Sequence, residues 1–271
     1  MYLLEAEGLS YTYPDGTEAL RGVNFRLARG EAVAVLGANG AGKTTLLRHF
    51  NGLLTPTSGR LMLCGEELHR GNLMKARRIV GLVFQNPDEQ LFAPSVAEDV
   101  AFGPRNLGLD EEEVERRVEE ALHLVGMEGS EERAPHHLSY GEKKRIAIAG
   151  VLAMKPECIA LDEPTSGLDP AGAEELIELL NRLRRSGISI VFATHDVDMV
   201  PLLAERVYLL HGGRMVCEGT PEHVFSSPEL ERCSLRAPCA ARLLQHLRIH
   251  GVDVELRLTV EEAAKELAKL C

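Results

Sequence analysis

Residues 37–45 read GANGAGKTT: Gly37, Ala38, Asn39, Gly40, Ala41, Gly42, Lys43, Thr44 and Thr45. The stretch fits G-x-x-x-x-G-K-[ST]. An apolar run at 32–36 precedes it, and a helical pattern over 44–50 follows. In a strand–loop–helix setting, glycines let successive backbone N–H groups turn inward as a nest for phosphate oxygens. The helix N-terminus adds about half a positive charge. Lys43 is a compact cation able to reach the β- and γ-phosphates, and the Thr44 hydroxyl is a ligand for Mg²⁺. The motif points to a bound nucleotide without saying which kind of phosphate-loop protein carries it.

Strand-like runs occur at 32–36, 79–84, 158–161 and 188–193. Three of them are almost wholly apolar, as strands covered on both faces are. Helical segments between them predict an α/β fold with a largely parallel central sheet. The first ~30 residues instead alternate apolar and polar (Val23, Phe25, Leu27), with Pro14, Asp15 and Gly16 as turn residues. They predict a small antiparallel piece at the edge. Over about 94–155 the character turns helical. Ser95 with Glu98 reads as a capping box, and Asp110 opens a helix with three acids in its first turn. A further helix begins near Ser139. Thr220-Pro221 starts another, with proline at its first position. The cassette-like pattern fades at 228. Residues 229–271 are expected to form a small C-terminal extension, helical over 238–250 and again over 263–270, after a capping box at Thr259 and Glu262. No internal repeat is present.

Composition bounds the partners. Of the 271 residues, 45% are hydrophobic and 26% charged, which is ordinary for a globular chain, and the net charge is −11. Duplex binding needs cations to displace counterions, so no nucleic-acid partner is expected. Aromatics make up 4% with no Trp, which argues against a stacking platform for single strands. The cysteines (64, 158, 217, 233, 239, 271) form no metal-spaced pair. Cys158 reads as a small core residue. Cys233 and Cys239 leave a redox or metal pair as a minor reading. The start, MYLLEAEGLS, lacks a signal-peptide pattern, and no apolar stretch approaches the roughly 20 residues needed to span a bilayer. A role at a membrane would require docking onto a separate subunit.

Two further motifs narrow the chemistry. Residues 157–163 read ECIALDE, an apolar strand ending in Asp162, where ligands sit in open α/β sheets. Asp162 is placed to hold Mg²⁺ and Glu163 to deprotonate an attacking water. Taken alone, the pair reads equally well as a helix cap with a solvated neighbour. Residues 138–145 read LSYGEKKR. Ser139 with Glu142 fits a capping box, and such a helix tip is also an anion site.

At this point the chain resembles the ABC ATPase family. GANGAGKTT, FQNPDEQ with Gln85, LSYGEKKR, ECIALDE, SGLD and ATHD with His195 occur in the family's order over residues 37–195, and YTYPDG supplies Tyr13. Alone, Gln85 reads as a polar strand cap and His195 as a loop histidine; the ordered set overturns both. The resemblance covers about residues 1–225. It implies a P-loop NTPase core with an edge antiparallel subdomain and an inserted helical subdomain, binding ATP with Mg²⁺. It implies that Lys43 and Thr44 grip phosphate and Mg²⁺, and that Gln85 contacts Mg²⁺ or the water beside the membrane-subunit contact. Glu163 is the implied base, His195 braces the γ-phosphate, and Tyr13 stacks on adenine. Ser139 and Gly141 are implied to touch ATP held by a second cassette, and Asp169 to reach across to it. The dimer is then head-to-tail, from identical or different chains. One departure matters: Tyr140 and Glu142 replace residues of the commoner LSGGQ, and the bulk of Tyr140 bears on dimer closure.

The segment VGLVFQNPDEQLF, with Gln90, and the tyrosine-bearing LSYGEKKR look like the energy-coupling-factor type, and are particularly similar to the ATPase subunits of cobalt and nickel importers. That implies a transmembrane coupling subunit, a substrate-binding membrane subunit and a place on the cytoplasmic face of the membrane. Motors for vitamin uptake look much alike. Soluble ABC ATPases remain a separate class, usually marked by coiled-coil insertions or two cassettes in one chain, neither of which is seen here. His136-His137 is expected to be a solvated pair rather than a cobalt site.

Overall fold

The computed structural model describes residues 2–270. Strands β1 (Leu4–Thr12) and β2 (Glu18–Leu27) form an antiparallel hairpin. Its turn is closed by Gly16 N–H donating to the Tyr13 carbonyl, with Gly16 at φ +90°. The chain then enters β3 (Ala32–Leu36), buried throughout, and turns into α1 (Lys43–Phe50). β4 (Ser58–Leu63) and the short β5 (Glu66–Glu67) complete a four-stranded sheet of order β2-β1-β4-β5. The antiparallel piece is therefore larger than the first ~30 residues suggest. β4 arrives from beyond α1, and its exposed, irregular start hides the strand pattern.

Helix α2 (Leu73–Ile79) runs directly into β6 (Val80–Val83). The inserted helices are α3 (Val96–Asn106), α4 (Glu111–Leu124) and α5 (Tyr140–Leu152). Next come β7 (Cys158–Asp162), α6 (Pro170–Arg185), β8 (Ser189–Thr194), α7 (Val200–Leu203), β9 (Arg206–His211) and β10 (Arg214–Gly219). The second sheet has order β10-β9-β3-β8-β7-β6 and is parallel except for β10. The chain closes with α8 (Pro221–Phe225), α9 (Glu229–Arg232), α10 (Cys239–Ile249) and α11 (Val260–Ala268).

Side chains alternate across each parallel strand. Ala34, Leu36, Phe192 and Leu209 face the helices of one layer. Val33, Val35, Val191 and Leu210 face α1 and the antiparallel sheet, against Phe25 and Phe50. Both faces are covered, which is why the strands read as continuous apolar runs. Several helix starts are side-chain capped: Ser95, Asp110, Ser139, Thr220 and Thr259 each accept from the N–H three residues on. Of the three expected capping boxes, both halves form at Ser139; at Ser95 and Thr259 only the side-chain-to-backbone half does.

Cys158 is buried, and burial pushes its thiol well above the ordinary range. Cys233 is buried and Cys239 exposed, both as free thiols; Cys271 lies outside the described residues. His136 and His137 are exposed, with ring centroids 4.2 Å apart. Among the described residues, no helix is long and apolar enough to cross a membrane.

Candidate active site

The site lies where β3, β7 and β8 end. Gly37 N–H donates to the Thr194 carbonyl (3.2 Å) and Glu163 N–H to the Ala193 carbonyl (2.9 Å), so the three strand ends are tied together. Two glycines of the phosphate loop are there for space. A Cβ on Gly37 would lie 2.5 Å from the Leu210 carbonyl oxygen. One on Gly42 would lie 2.6 Å from that of Ala19, and Gly42 also sits at φ +108° as the N-cap of α1. Asn39 and Gly40 form the exposed crest of the loop, while Ala41 beneath them is buried in the core.

Lys43 is only 6% exposed. Its Nζ donates to the carbonyls of Gly37 (2.8 Å) and Ala38 (3.2 Å) and lies 3.1 Å from Glu163 Oε1. Thr44 Oγ1 donates to Asp162 Oδ2 at 2.6 Å. Asp162 Oδ1 is buried without a hydrogen-bond partner, and burial raises the carboxyl's pKa. A hydroxyl beside a buried carboxylate with an unused oxygen is a hard, oxygen-only donor set. It fits Mg²⁺, which binds through one or two carboxylates together with substrate phosphates.

Glu163 is the most constrained residue of the group. It takes φ +44°, in the left-handed region that non-glycine residues seldom visit. Its Oε2 faces His195 Nδ1 at 2.9 Å, and Thr194 Oγ1 and His195 N–H lie at 3.3 Å. His195 itself is exposed. Such strain, of order 1–3 kcal/mol, gathers at functional sites.

Tyr13 stands beside the loop. Its hydroxyl is 2.9 Å from Thr45 Oγ1, and its ring meets Tyr11 edge-on at 4.9 Å. Tyr11 meets His49 in the same way. His49 is fully buried, with Nδ1 2.7 Å from the Thr45 carbonyl and Nε2 unpartnered; burial lowers its pKa.

Ser139, Gly141 and Asp169 form a separate group. They line a cleft of about 600 Å³ at the tip of α5 and the start of α6. Among the described residues no hydrogen bond joins them to residues 37–45. Glu142 closes the Ser139 cap, and the Ser139 N–H together with Arg133 holds its carboxyl at about 2. Asp169 Oδ1 caps α6 by accepting from Gly172 N–H (2.7 Å). Gln85 is exposed after β6. The structure thus brings Lys43, Thr44, Asp162, Glu163 and His195 into one cluster with Tyr13 at its side, and holds Ser139, Gly141 and Asp169 apart from it.

Sequence reasoning missed several residues. Lys144 is buried, and burial brings its amine down to about 8. In the sequence it sits inside the charged run 142–145, which carries no sign of that burial. Gln90 belongs to the segment that resembles the energy-coupling-factor type. It bridges two elements, taking the Phe84 N–H on Oε1 (3.2 Å) and donating Nε2 to the Ala147 carbonyl (2.8 Å).

Comparison with known proteins adds the relationships. The ABC transporter family profile matches residues 20–166. The "Energy-coupling factor transporter ATP-binding protein EcfA" of Methanothermobacter thermautotrophicus is 55% identical over 99% of this chain and 87% of its own length. The protein of the same name from Methanocaldococcus jannaschii is 51% identical over 98% of this chain and 97% of its own. Among solved structures, CbiO1 from Clostridium perfringens, part of the ABC transporter complex CbiONQ, superposes with a TM-score of 0.76. It is 47% identical over 85% of this chain and 93% of its own. A dimeric ATP-binding cassette in a post-hydrolysis state with ADP and Pi gives 0.72, at 30% identity over 80% of this chain and 98% of its own.

Proposed function

The chain belongs to the ABC transporter family, and from that premise we propose that it is the ATP-hydrolysing subunit of an energy-coupling-factor importer, with cobalt or nickel as cargo. The observation that carries the ATPase reading is the convergence of Lys43, Thr44, Asp162, Glu163 and His195 at the ends of three parallel strands. The importer type is supported by relatives named EcfA that match nearly the whole chain. The metal cargo is supported by the resemblance of the FQNPDEQLF and LSYGEKKR segments to the ATPase subunits of cobalt and nickel importers. Vitamin uptake by the same transporter type is the alternative.

In the mechanism, the backbone N–H groups of 39–45 and Lys43 hold the triphosphate, with adenine on the Tyr13 ring. Thr44 and Asp162 would hold Mg²⁺, with Gln85 as a further candidate ligand; the ion would supply charge neutralisation on the phosphates. Arrival of the γ-phosphate draws Lys43 away from Glu163 Oε1. The freed carboxylate takes a proton from water, the water oxygen bonds to the γ-phosphorus, and the bond to the β–γ bridging oxygen breaks to release ADP. His195 orients Glu163 and braces the γ-phosphate. A second cassette, arranged head-to-tail, brings its Ser139, Gly141 and Asp169 over the same ATP.

Force leaves through a groove of about 560 Å³ between β6, α3 and α5. Phe92 and Phe102 stand exposed along it, and Asp99, whose Oδ2 is buried without a partner, lines its wall. This is the proposed seat of the transmembrane coupling subunit, and a peripheral position on the cytoplasmic face of the membrane is part of the same proposal. The test is Glu163→Gln. Hydrolysis should fall by about 10²–10⁴-fold, while ATP-loaded dimers accumulate on size exclusion. Retained turnover removes Glu163 from the base role, and a strictly monomeric ATP-loaded protein overturns the dimer. Uptake of radioactive cobalt, nickel and vitamins by the reconstituted complex decides the cargo.

A further inference from the structure

Lys144 is 1% exposed and, among the described residues, makes no ion pair. Its Nζ donates instead to three backbone carbonyls: Gln85 (3.1 Å), Glu163 (3.1 Å) and Ser166 (3.3 Å). An ammonium has three N–H bonds, and here they reach two loops. One bond goes to the loop after β6, and two go to the β7–α6 loop, at the strained glutamate and at Ser166 three residues on. One turn earlier on α5, the Tyr140 hydroxyl also donates to the Gln85 carbonyl (3.1 Å). The Tyr140 ring closes over Gly167, where a Cβ would come within 2.7 Å of it, and lies 5.6 Å from Lys144 Nζ. Burying a charge against uncharged carbonyls is costly, and an apolar side chain of the same length would fill the space at less cost. The position therefore needs the donors.

Resting on the head-to-tail dimer of the preceding section, we propose that Lys144 is a positioning residue that couples the two ATP sites. It ties α5, whose Ser139 tip meets the other copy's nucleotide, to the backbone of Gln85 and Glu163 in its own site. A shift of α5 of an ångström on engaging ATP is then transmitted by these hydrogen bonds to the loop that aims the water-activating carboxylate. Tyr140 supports the same node, which gives a reason for a tyrosine where the commoner signature has glycine.

The experiment compares wild type with Lys144→Met, Lys144→Gln and Tyr140→Phe, measuring ATP turnover against concentration and the melting temperature of each. Lys144→Met should lower kcat by about 10–10²-fold, the penalty of an ångström-scale misplacement, with KM within about threefold and the Hill coefficient falling toward one. Lys144→Gln, which restores two donors, should recover part of both kcat and cooperativity. If Lys144→Met does not fold, Tyr140→Phe decides: a reduced Hill coefficient supports the coupling, and an unchanged one overturns it. Unchanged kcat and cooperativity in Lys144→Met overturn the proposal. So does a loss that tracks melting temperature alone, with Lys144→Gln no better than Lys144→Met. A Glu163→Gln control that still dimerises with ATP assigns such a failure to Lys144; one that stays monomeric takes down the dimer and this coupling together.

Discussion

Lys43, Thr44, Asp162, Glu163 and His195 were legible in the sequence because each is a residue type that phosphate chemistry demands, set in a fixed order along the chain. Lys144 was not, since EKKR at 142–145 looks like an ordinary solvated run and only the closure of two loops over it reveals otherwise. His49 was hidden for a similar reason: on α1, it packs against Tyr11 of the antiparallel sheet, far from it in sequence. It nonetheless gives a sharp expectation. Burial holds its folded pKa below the ordinary 6.5, and Nε2 has no acceptor for a proton. As pH falls through about 6.5 the unfolded chain takes up a proton that the folded chain refuses. Stability is therefore full above that pH and declines below it, down to the depressed folded pKa, by at most about 1.4 kcal/mol per pH unit. Urea unfolding at about pH 7.5 and about pH 5.5, on either side of the imidazole titration, should show a steeper acid-side loss in wild type than in His49→Phe. Equal slopes would mean the imidazole is protonated in the fold.

At the scale of elements, helix starts were the easiest feature to read, because a cap is a local bond between residues three apart. Strands were harder. β9 and β10 were not among the expected runs, and β4 was assigned to no sheet: β9 and β4 join strands far away in sequence, and β10 is an edge strand with no buried residue. The contact between β6 and α5 was equally invisible, yet it is tight: a Cβ added to Gly81 would overlap Val151 Cγ1. Gly81→Ala should therefore destabilise by about 1–3 kcal/mol through overpacking. Val151→Ala opens the space that the new methyl needs. The double variant should then melt above the sum of the two single losses, a coupling that thermal unfolding reads directly. Strict additivity would place the strain elsewhere.

For the whole molecule, the order of motifs disclosed the cassette and its inserted helices, whereas the role of residues 229–271 depends on where their side chains go. We propose that residue 228 marks a change of role within one folding unit. Leu230, Cys233, Ala241 and Leu258 lie in the main hydrophobic core, and Cys239 N–H donates to Asp198 Oδ1 at 2.8 Å. Only Ala240, Leu244, Val254 and Ala263 form a core of their own. A chain ending at residue 228 removes both groups, while one ending at residue 250 keeps every main-core residue of the extension except Leu258. Each large side chain taken from that core costs about 1.5–3 kcal/mol, and a 1 kcal/mol loss lowers the melting temperature of a chain this size by roughly 2–4 °C. The shorter chain should melt roughly 10 °C below the full one and aggregate on heating, with the longer truncation falling between them. Equal melting temperatures for all three would instead make the extension an independent appendage, free to act on partners without bearing on the stability of the cassette.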